Sequence, residues 1–171
     1  NDTIAEQNNY YGTSQENSIQ FKEGISASDL TFTSGNYYDL VITLDTGESI
    51  KLVRQLYDNT GIKYLHFADG SSIDLSLGVE LNGSLLADSI YGSTGNDLIN
   101  GLDGDDIIYG GSGNDTVYGG EGNDSIAEYY DGDEVVYGEA GNDTISTHIG
   151  DDYIDGGDGA DNLTGCVKHA A

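Results

Sequence analysis

From Ile90 to Leu163 an aliphatic residue returns at a fixed interval. Ile90, Ile99, Ile108, Val117, Ile126, Val136, Ile145, Ile154 and Leu163 stand nine residues apart, except for one ten-residue step between Ile126 and Val136. Their neighbours are mixed: Ser89 and Tyr91, Thr116 and Tyr118, Tyr153 and Asp155. Adjacent residues of a strand face opposite sides of the sheet. The pattern therefore predicts one three-residue strand per row, with the aliphatic side chain pointing inward. Such a row buries almost nothing alone. Rows stacked ~4.7–4.9 Å apart share a thin apolar core, and a short fixed period predicts a solenoid.

The first part of the chain follows a different rule. Ile19 and Phe21 alternate with polar residues, as do Leu40, Ile42 and Leu44, Ile50 and Leu52, Leu65 and Phe67, and Ile73 and Leu75. A period of two over short stretches predicts half-buried strands. Thr46-Gly47, Asn59-Thr60-Gly61 and Asp69-Gly70 separate them as turns. Ser26 with Asp29 predicts a single helical turn before Leu30. The expected organisation is all-β: a small antiparallel β module of about five strands over 18–80, then a parallel β-roll over 83–164. Residues 1–5, NDTIA, match the back half of a repeat such as 142–146, NDTIS. Residues 1–17 are thus expected to be the end of an upstream repeat and a connector, and 165–171 a tail outside the repeat.

The whole repeat is clearest at 110–118, GGSGNDTVY. Written GGxGxDxUx, with U a large apolar residue, it recurs from Gly83, Gly92, Gly101, Gly110, Gly119, Tyr129, Gly138, Thr147 and Gly156, with Glu128 as the extra residue. Position four is glycine in every row but the first, which has Leu86. Glycine permits positive φ and close backbone approach, and Asn or Asp at position five tolerates left-handed geometry. Position six is always an acid: Asp88, Asp97, Asp106, Asp115, Asp124, Glu134, Asp143, Asp152 and Asp161.

Charge turns this pattern into chemistry. The formal net charge is -26, and 83–164 holds nineteen acids without one Lys or Arg. The first 82 residues hold twelve acids and four basic residues. Packed carboxylates repel and disfavour a compact state, so the repeats need a cation from outside. Two rows make one coil, so like turns stack between row n and row n+2. Each gap is then lined by backbone carbonyls and two acids, a hard all-oxygen cage. Calcium takes about 6–8 oxygens and accepts carbonyls readily, whereas magnesium keeps its waters and zinc prefers nitrogen or sulfur. Five rows on one side and four on the other leave at most about seven gaps for ions. Leu86, the Tyr129–Tyr130–Glu134 row and the Thr147–His148 row depart from the pattern and lower that number. Asp97, Asp106, Asp115, Asp124 and Asp143 are the principal ligand candidates.

Other chemistries find less support. Nucleic acids and anionic membranes need clustered basic residues. No run of about 18 apolar residues predicts a membrane span, and 1–11 lacks a signal-peptide pattern. Without an initiating Met the chain reads as part of a longer protein. A single cysteine, Cys166, gives no disulfide framework. Asp103-Gly-Asp-Asp106 lacks the flanking helices and spaced Glu of an EF-hand. His66, His148 and His169 are dispersed, and no nucleophile–base grouping stands in a recognisable context, so no catalytic role is expected. Positions seven and nine are too irregular for an ice-binding face. Tyr91, Tyr109, Tyr118 and Tyr137 cover the outer face of a sheet, or alternatively offer a glycan or protein ligand a surface.

These nine rows resemble the RTX family, the haemolysin-type calcium-binding repeats of secreted bacterial proteins. The segment from Ile19 through Leu30 to Phe67 and Ile73 also resembles the haemolysin-type calcium-binding related domain. The resemblance implies a right-handed parallel β-roll. Its calcium ions would be held by the position-six acids and by turn carbonyls, here those of Gly92, Thr94, Asn96, Gly101, Asp103, Asp105, Gly110, Ser112, Asn114, Gly119, Glu121, Asn123, Gly138, Ala140 and Asn142. It implies type I secretion from a Gram-negative bacterium, with calcium-induced folding outside the cell. Calcium ions and the flanking domains of a toxin- or adhesin-type parent are the expected partners. The alternative is an auxiliary module of a secreted protease, lipase or polysaccharide-modifying enzyme.

Overall fold

The computed structural model describes residues 18–21, 23–34, 39–47, 49–52 and 62–165. The expectations for 1–17, for the turn at Asn59-Thr60-Gly61 and for Cys166 and His169 fall outside them. Among the described residues the one helical element is a short 3-10 turn, Ala27–Asp29. That turn is the one expected before Leu30, and the main-chain N–H of Ser26 donates to Asp29 Oδ2 at 2.7 Å.

The N-terminal part contains β1 (Ser18–Gln20), β2 (Leu30–Ser34), β3 (Leu40–Leu44), β4 (Ser49–Leu52), β5 (Tyr64–His66) and β6 (Ser72–Asp74). They form two three-stranded sheets, ordered β1-β5-β6 and β2-β3-β4. The antiparallel module of five strands is thus corrected on two points. The described residues hold six strands, because Leu30 and Phe32 alternate on β2 as well, and β1 runs parallel to β5. The parallel pair arises because β1 and β5 are joined through the whole β2–β4 sheet rather than by a hairpin. Gly47 and Gly70 make their turns with φ of 87° and 89°. Phe21 stacks on Phe67 at 5.2 Å, over a core of Ile19, Leu40, Ile42, Leu44, Leu65 and Leu75.

Ten short strands then alternate between two parallel five-stranded sheets, forming a β-solenoid. One sheet holds β7 (Glu80–Asn82), β9 (Leu98–Asp103), β11 (Thr116–Glu121), β13 (Val135–Ala140) and β15 (Tyr153–Asp155). The other holds β8 (Ser89–Tyr91), β10 (Ile107–Tyr109), β12 (Ser125–Ala127), β14 (Thr144–Ser146) and β16 (Asn162–Thr164). Pairing places Ile90, Ile108, Ile126, Ile145 and Leu163 in one row of contacts. Leu81, Ile99, Val117, Val136 and Ile154 form the facing one. These side chains are buried as the spacing predicts, each contributing about 1.5–3 kcal/mol, until the last coil. There Ile154 is only partly covered and Leu163 is 46% exposed.

The roll begins one strand before Gly83. β7 carries Leu81 nine residues ahead of Ile90, fully buried and paired with Ile99. β2 packs on β7 and β8, and Ser34 Oγ accepts the main-chain N–H of Tyr91 at 3.0 Å. The module therefore covers the first coil and joins one continuous core. No helix among the described residues is long and apolar enough to cross a membrane.

Candidate metal centre

Two columns of turns run along the roll. Turns leaving the β7–β15 sheet start at Gly83, Gly101, Gly119, Gly138 and Gly156 and make the first edge. Turns leaving the β8–β16 sheet start at Gly92, Gly110, Glu128 and Thr147 and make the second. Glu128 thus takes the leading place of its row, stacked between Gly110 and Thr147. Its N–H donates to Ser146 O, as that of Gly92 does to Tyr109 O. The extra residue of this ten-residue row lies after Glu128, in the stretch Tyr129–Asp131. Gly132 is back in step, its N–H donating to Ile149 O.

On the first edge the position-six acids form an unbroken ladder. The main-chain N–H of Asp88 donates to Oδ1 of Asp106 at 2.8 Å, Asp106 to Asp124 at 2.9 Å, Asp124 to Asp143 at 2.8 Å and Asp143 to Asp161 at 3.0 Å. On the second edge Val79 donates to Asp97 at 2.7 Å and Asp97 to Asp115 at 2.8 Å. The ladder resumes at Glu134, whose N–H donates to Asp152 at 3.2 Å. Asp97, Asp106, Asp115, Asp124, Asp143, Asp152 and Asp161 each use one carboxylate oxygen in this way.

The other oxygen separates the candidates. In Asp106, Asp115, Asp124, Asp143 and Asp152 it is Oδ2, and in Glu128 and Glu134 it is Oε2. All seven are buried without a hydrogen-bond partner. Asp88 and Asp97 differ, because position two of their rows is serine. Ser84 donates its N–H and Oγ–H to Asp88 Oδ2 at 2.7 and 2.8 Å. Ser93 donates its N–H to Asp97 Oδ2 and its Oγ–H to Oδ1. Asp161, in the last turn, is only partly buried.

The leading glycine explains where the free oxygens point. A Cβ on Gly119 would lie 2.5 Å from Asp124 Oδ2 and 2.7 Å from Gly138 O. Gly101, between Asp106 Oδ2 and Gly119 O, and Gly138, between Asp143 Oδ2 and Gly156 O, repeat the arrangement. Each gap of the first edge therefore brings a carboxylate oxygen and the carbonyl of the next turn to one glycine-lined cradle. Position two reaches the left-handed region even without glycine, at Leu102 (φ 79°) and Glu139 (φ 72°).

The remaining candidates offer backbone rather than side chain. Asn96, Asp105, Asn114, Asn123 and Asn142 are exposed and link into outer ladders. Asn96 Oδ1 accepts from Asn114 N at 2.9 Å, Asn114 Oδ1 from Asp133 N at 3.1 Å, Asp105 Oδ1 from Asn123 N at 2.7 Å and Asn123 Oδ1 from Asn142 N at 3.0 Å. Glu121 O and Ala140 O, at position three, accept the N–H of Gly104 and Gly122, both at 2.7 Å. Asp103 and Glu121 turn their side chains to solvent, Ser112 is half-buried, and Thr94 Oγ1 is buried without a partner.

Electrostatics follow from burial without cations. Desolvation lifts Asp97 and Asp124 to about 6, Asp115 and Glu134 to about 8, and Glu128 to about 9. Asp106 and Asp143 are raised by the same cause. Asp105, on the surface, is lowered by hydrogen bonds from Asn123. Among the described residues, no three His, Cys, Asp or Glu side chains already surround one point, so carbonyls have to complete any cage. Buried carboxylates that lack donors need a cation or a proton. An all-oxygen donor set fits calcium and disfavours zinc.

Glu128 is the residue that sequence counting misplaced. The signal was present: the ten-residue step allows the extra residue on either side of it, and only stacking decides. Val79 was missed as the first position-six residue, since an apolar side chain stands there instead of an acid.

Comparison with known proteins agrees with this chemistry. Residues 82–117, 91–126 and 129–163 match the family described as RTX calcium-binding nonapeptide repeat (4 copies). No curated protein matches the chain. The solenoid described above is built of RTX calcium-binding nonapeptide repeats.

Proposed function

We propose that this segment is a calcium-triggered scaffold of a larger secreted protein. It folds when calcium enters the turn gaps, and it then acts as a rigid spacer rather than a catalyst. The observation that carries this reading is the set of seven buried carboxylate oxygens without donors, in a block with no Lys or Arg. Asp106, Asp124 and Asp143 on the first edge are the principal ligands, with Asp115, Asp152 and Glu134 on the second. Carbonyl oxygens of the leading, third and fifth turn positions complete each shell. Calcium supplies the positive charge that these layers lack. The chain's own part is to pre-set the cradle, on the first edge by keeping glycine at the leading place and by fixing the carboxylates of Asp106, Asp124 and Asp143 each through one backbone N–H.

Without calcium, mutual repulsion of the acids keeps the repeats open. That property suits export as an extended chain into a calcium-rich exterior, through type I secretion from a Gram-negative cell. A toxin or adhesin parent fits this role, as does a secreted enzyme using the roll as an auxiliary module. The tyrosines favour a structural part over glycan recognition. Tyr91, Tyr109 and Tyr129 stack on one another at 5.1 and 5.8 Å, and Tyr118 on Tyr137 at 5.0 Å, so ring faces are spent within the ladder. Circular dichroism tests the reading. A coil-like spectrum in chelator should become a β spectrum in millimolar calcium, through a cooperative transition. A β spectrum of equal strength in chelator would refute it.

A further inference from the structure

Glu128 is a buried acid that the nine-residue period does not require. It stands at a leading place, where Gly92 and Gly110 precede it on the same edge. It is only 3% exposed, and it turns back along the stack: a Cβ on Gly110 would run into its carboxylate. Oε1 accepts the N–H of Gly110 at 3.1 Å, while Oε2 has no partner. Asp115 and Glu134 are the neighbouring charges that act on Glu128. Each of them also carries a buried oxygen without a donor. Glu128 thus brings a further carboxylate to an interval of the second edge whose two turns already carry Asp115 and Glu134 as their sixth residues.

We propose that Glu128, which the repeat motif does not specify as a ligand, adds a third carboxylate to the calcium gap flanked by Asp115 and Glu134, between the turns starting at Gly110 and Glu128, and that this gap is the first to fill. The proposal rests on the calcium reading above. Oxygen-only donors select a hard cation, and affinity for calcium rises with the number of charged ligands. Among the described residues the three side chains do not form an assembled cage, so the ion has to draw them together. The competing role is purely structural, with Glu128 as a neutral acid capping Gly110.

Calorimetric titration of the 171-residue chain with calcium chloride separates the two. Glu128→Gln keeps an oxygen for the Gly110 N–H and removes the charge. Glu128→Gly restores the glycine found at the leading place of other rows and guards against misfolding of the first variant. The tightest phase of the wild-type titration should weaken by about tenfold or more in both variants, while the later phases persist. An unchanged tightest phase in both variants would overturn the site and leave the calcium reading standing. Absence of calcium binding by the wild type would overturn both.

Discussion

The two edges of the roll are written in the same nine-residue phrase, yet only one keeps it. The first edge has glycine at all five leading places and aspartate at all five sixth places. Its ladder from Asp88 to Asp161 is unbroken. The second edge starts from Val79, carries Glu128 and Thr147 where glycine is expected, and breaks its ladder between Asp115 and Glu134. The sheets do not register this difference: Val117 and Val136 are as deeply buried as Ile108 and Ile126. Strand packing and turn chemistry are therefore separable. The aliphatic at position eight sets the stack, and the turn residues set what the stack can bind.

The strongest way to break the contrast is to place a methyl group in a first-edge cradle. Gly119→Ala puts a Cβ against Asp124 Oδ2 and Gly138 O, both backed by ordered backbone. We expect calcium-induced ordering to fail at millimolar calcium, as followed by circular dichroism. Gly24→Ala is the control: nothing lies within 4 Å of its Cβ, and only its own φ of 95° is strained.

A smaller effect should come from removing one carboxylate. Asp124→Ala should raise the calcium midpoint of folding about 10–100-fold, equivalent to the about 1.5–3 kcal/mol of one charge-assisted contact. Asp152→Ala, in the irregular second-edge turn that begins at Thr147, should shift it clearly less. Equal shifts would mean that the edges do not differ in binding.

The smallest effect is expected from pH. The folded acids hold protons to higher pH than unfolded ones, with Asp97 and Asp124 raised to about 6 and Asp115 and Glu134 to about 8, by burial. Between about pH 4 and 8 the folded chain thus binds more protons than the unfolded one, so in chelator its stability falls as pH rises through that window. Calcium and protons compete for the same oxygens, so calcium affinity should rise over the same range. Thermal melts at pH 4.5 and 7.5, with and without calcium, check both signs.

Much of this architecture is legible in the sequence because a short period over-determines it. Ile90 through Ile145 could be placed inside, and the acids in the turns, from spacing alone. Leu163 obeys the same spacing and is exposed, because nothing among the described residues stacks on the last coil. β7 was hidden because its row lacks glycine at the first, second and fourth places and an acid at the sixth, although Leu81 keeps the interval. The partner of β1 was unreadable for another reason: strand alternation tells which side faces in, not which strand lies alongside. The division between Asp88 and Asp97, whose Oδ2 accepts from serine, and the acids whose second oxygen lacks a donor depends on Ser84 and Ser93 at position two, a variable place in the motif.

The central claim is that divalent ions, not side-chain cations, hold the stacked acids together. Anomalous scattering from crystals grown in millimolar calcium tests it most directly. The account predicts peaks in the first-edge gaps beside Asp106, Asp124 and Asp143. A well-ordered roll in such crystals, with no peak at any of those three positions, would contradict it.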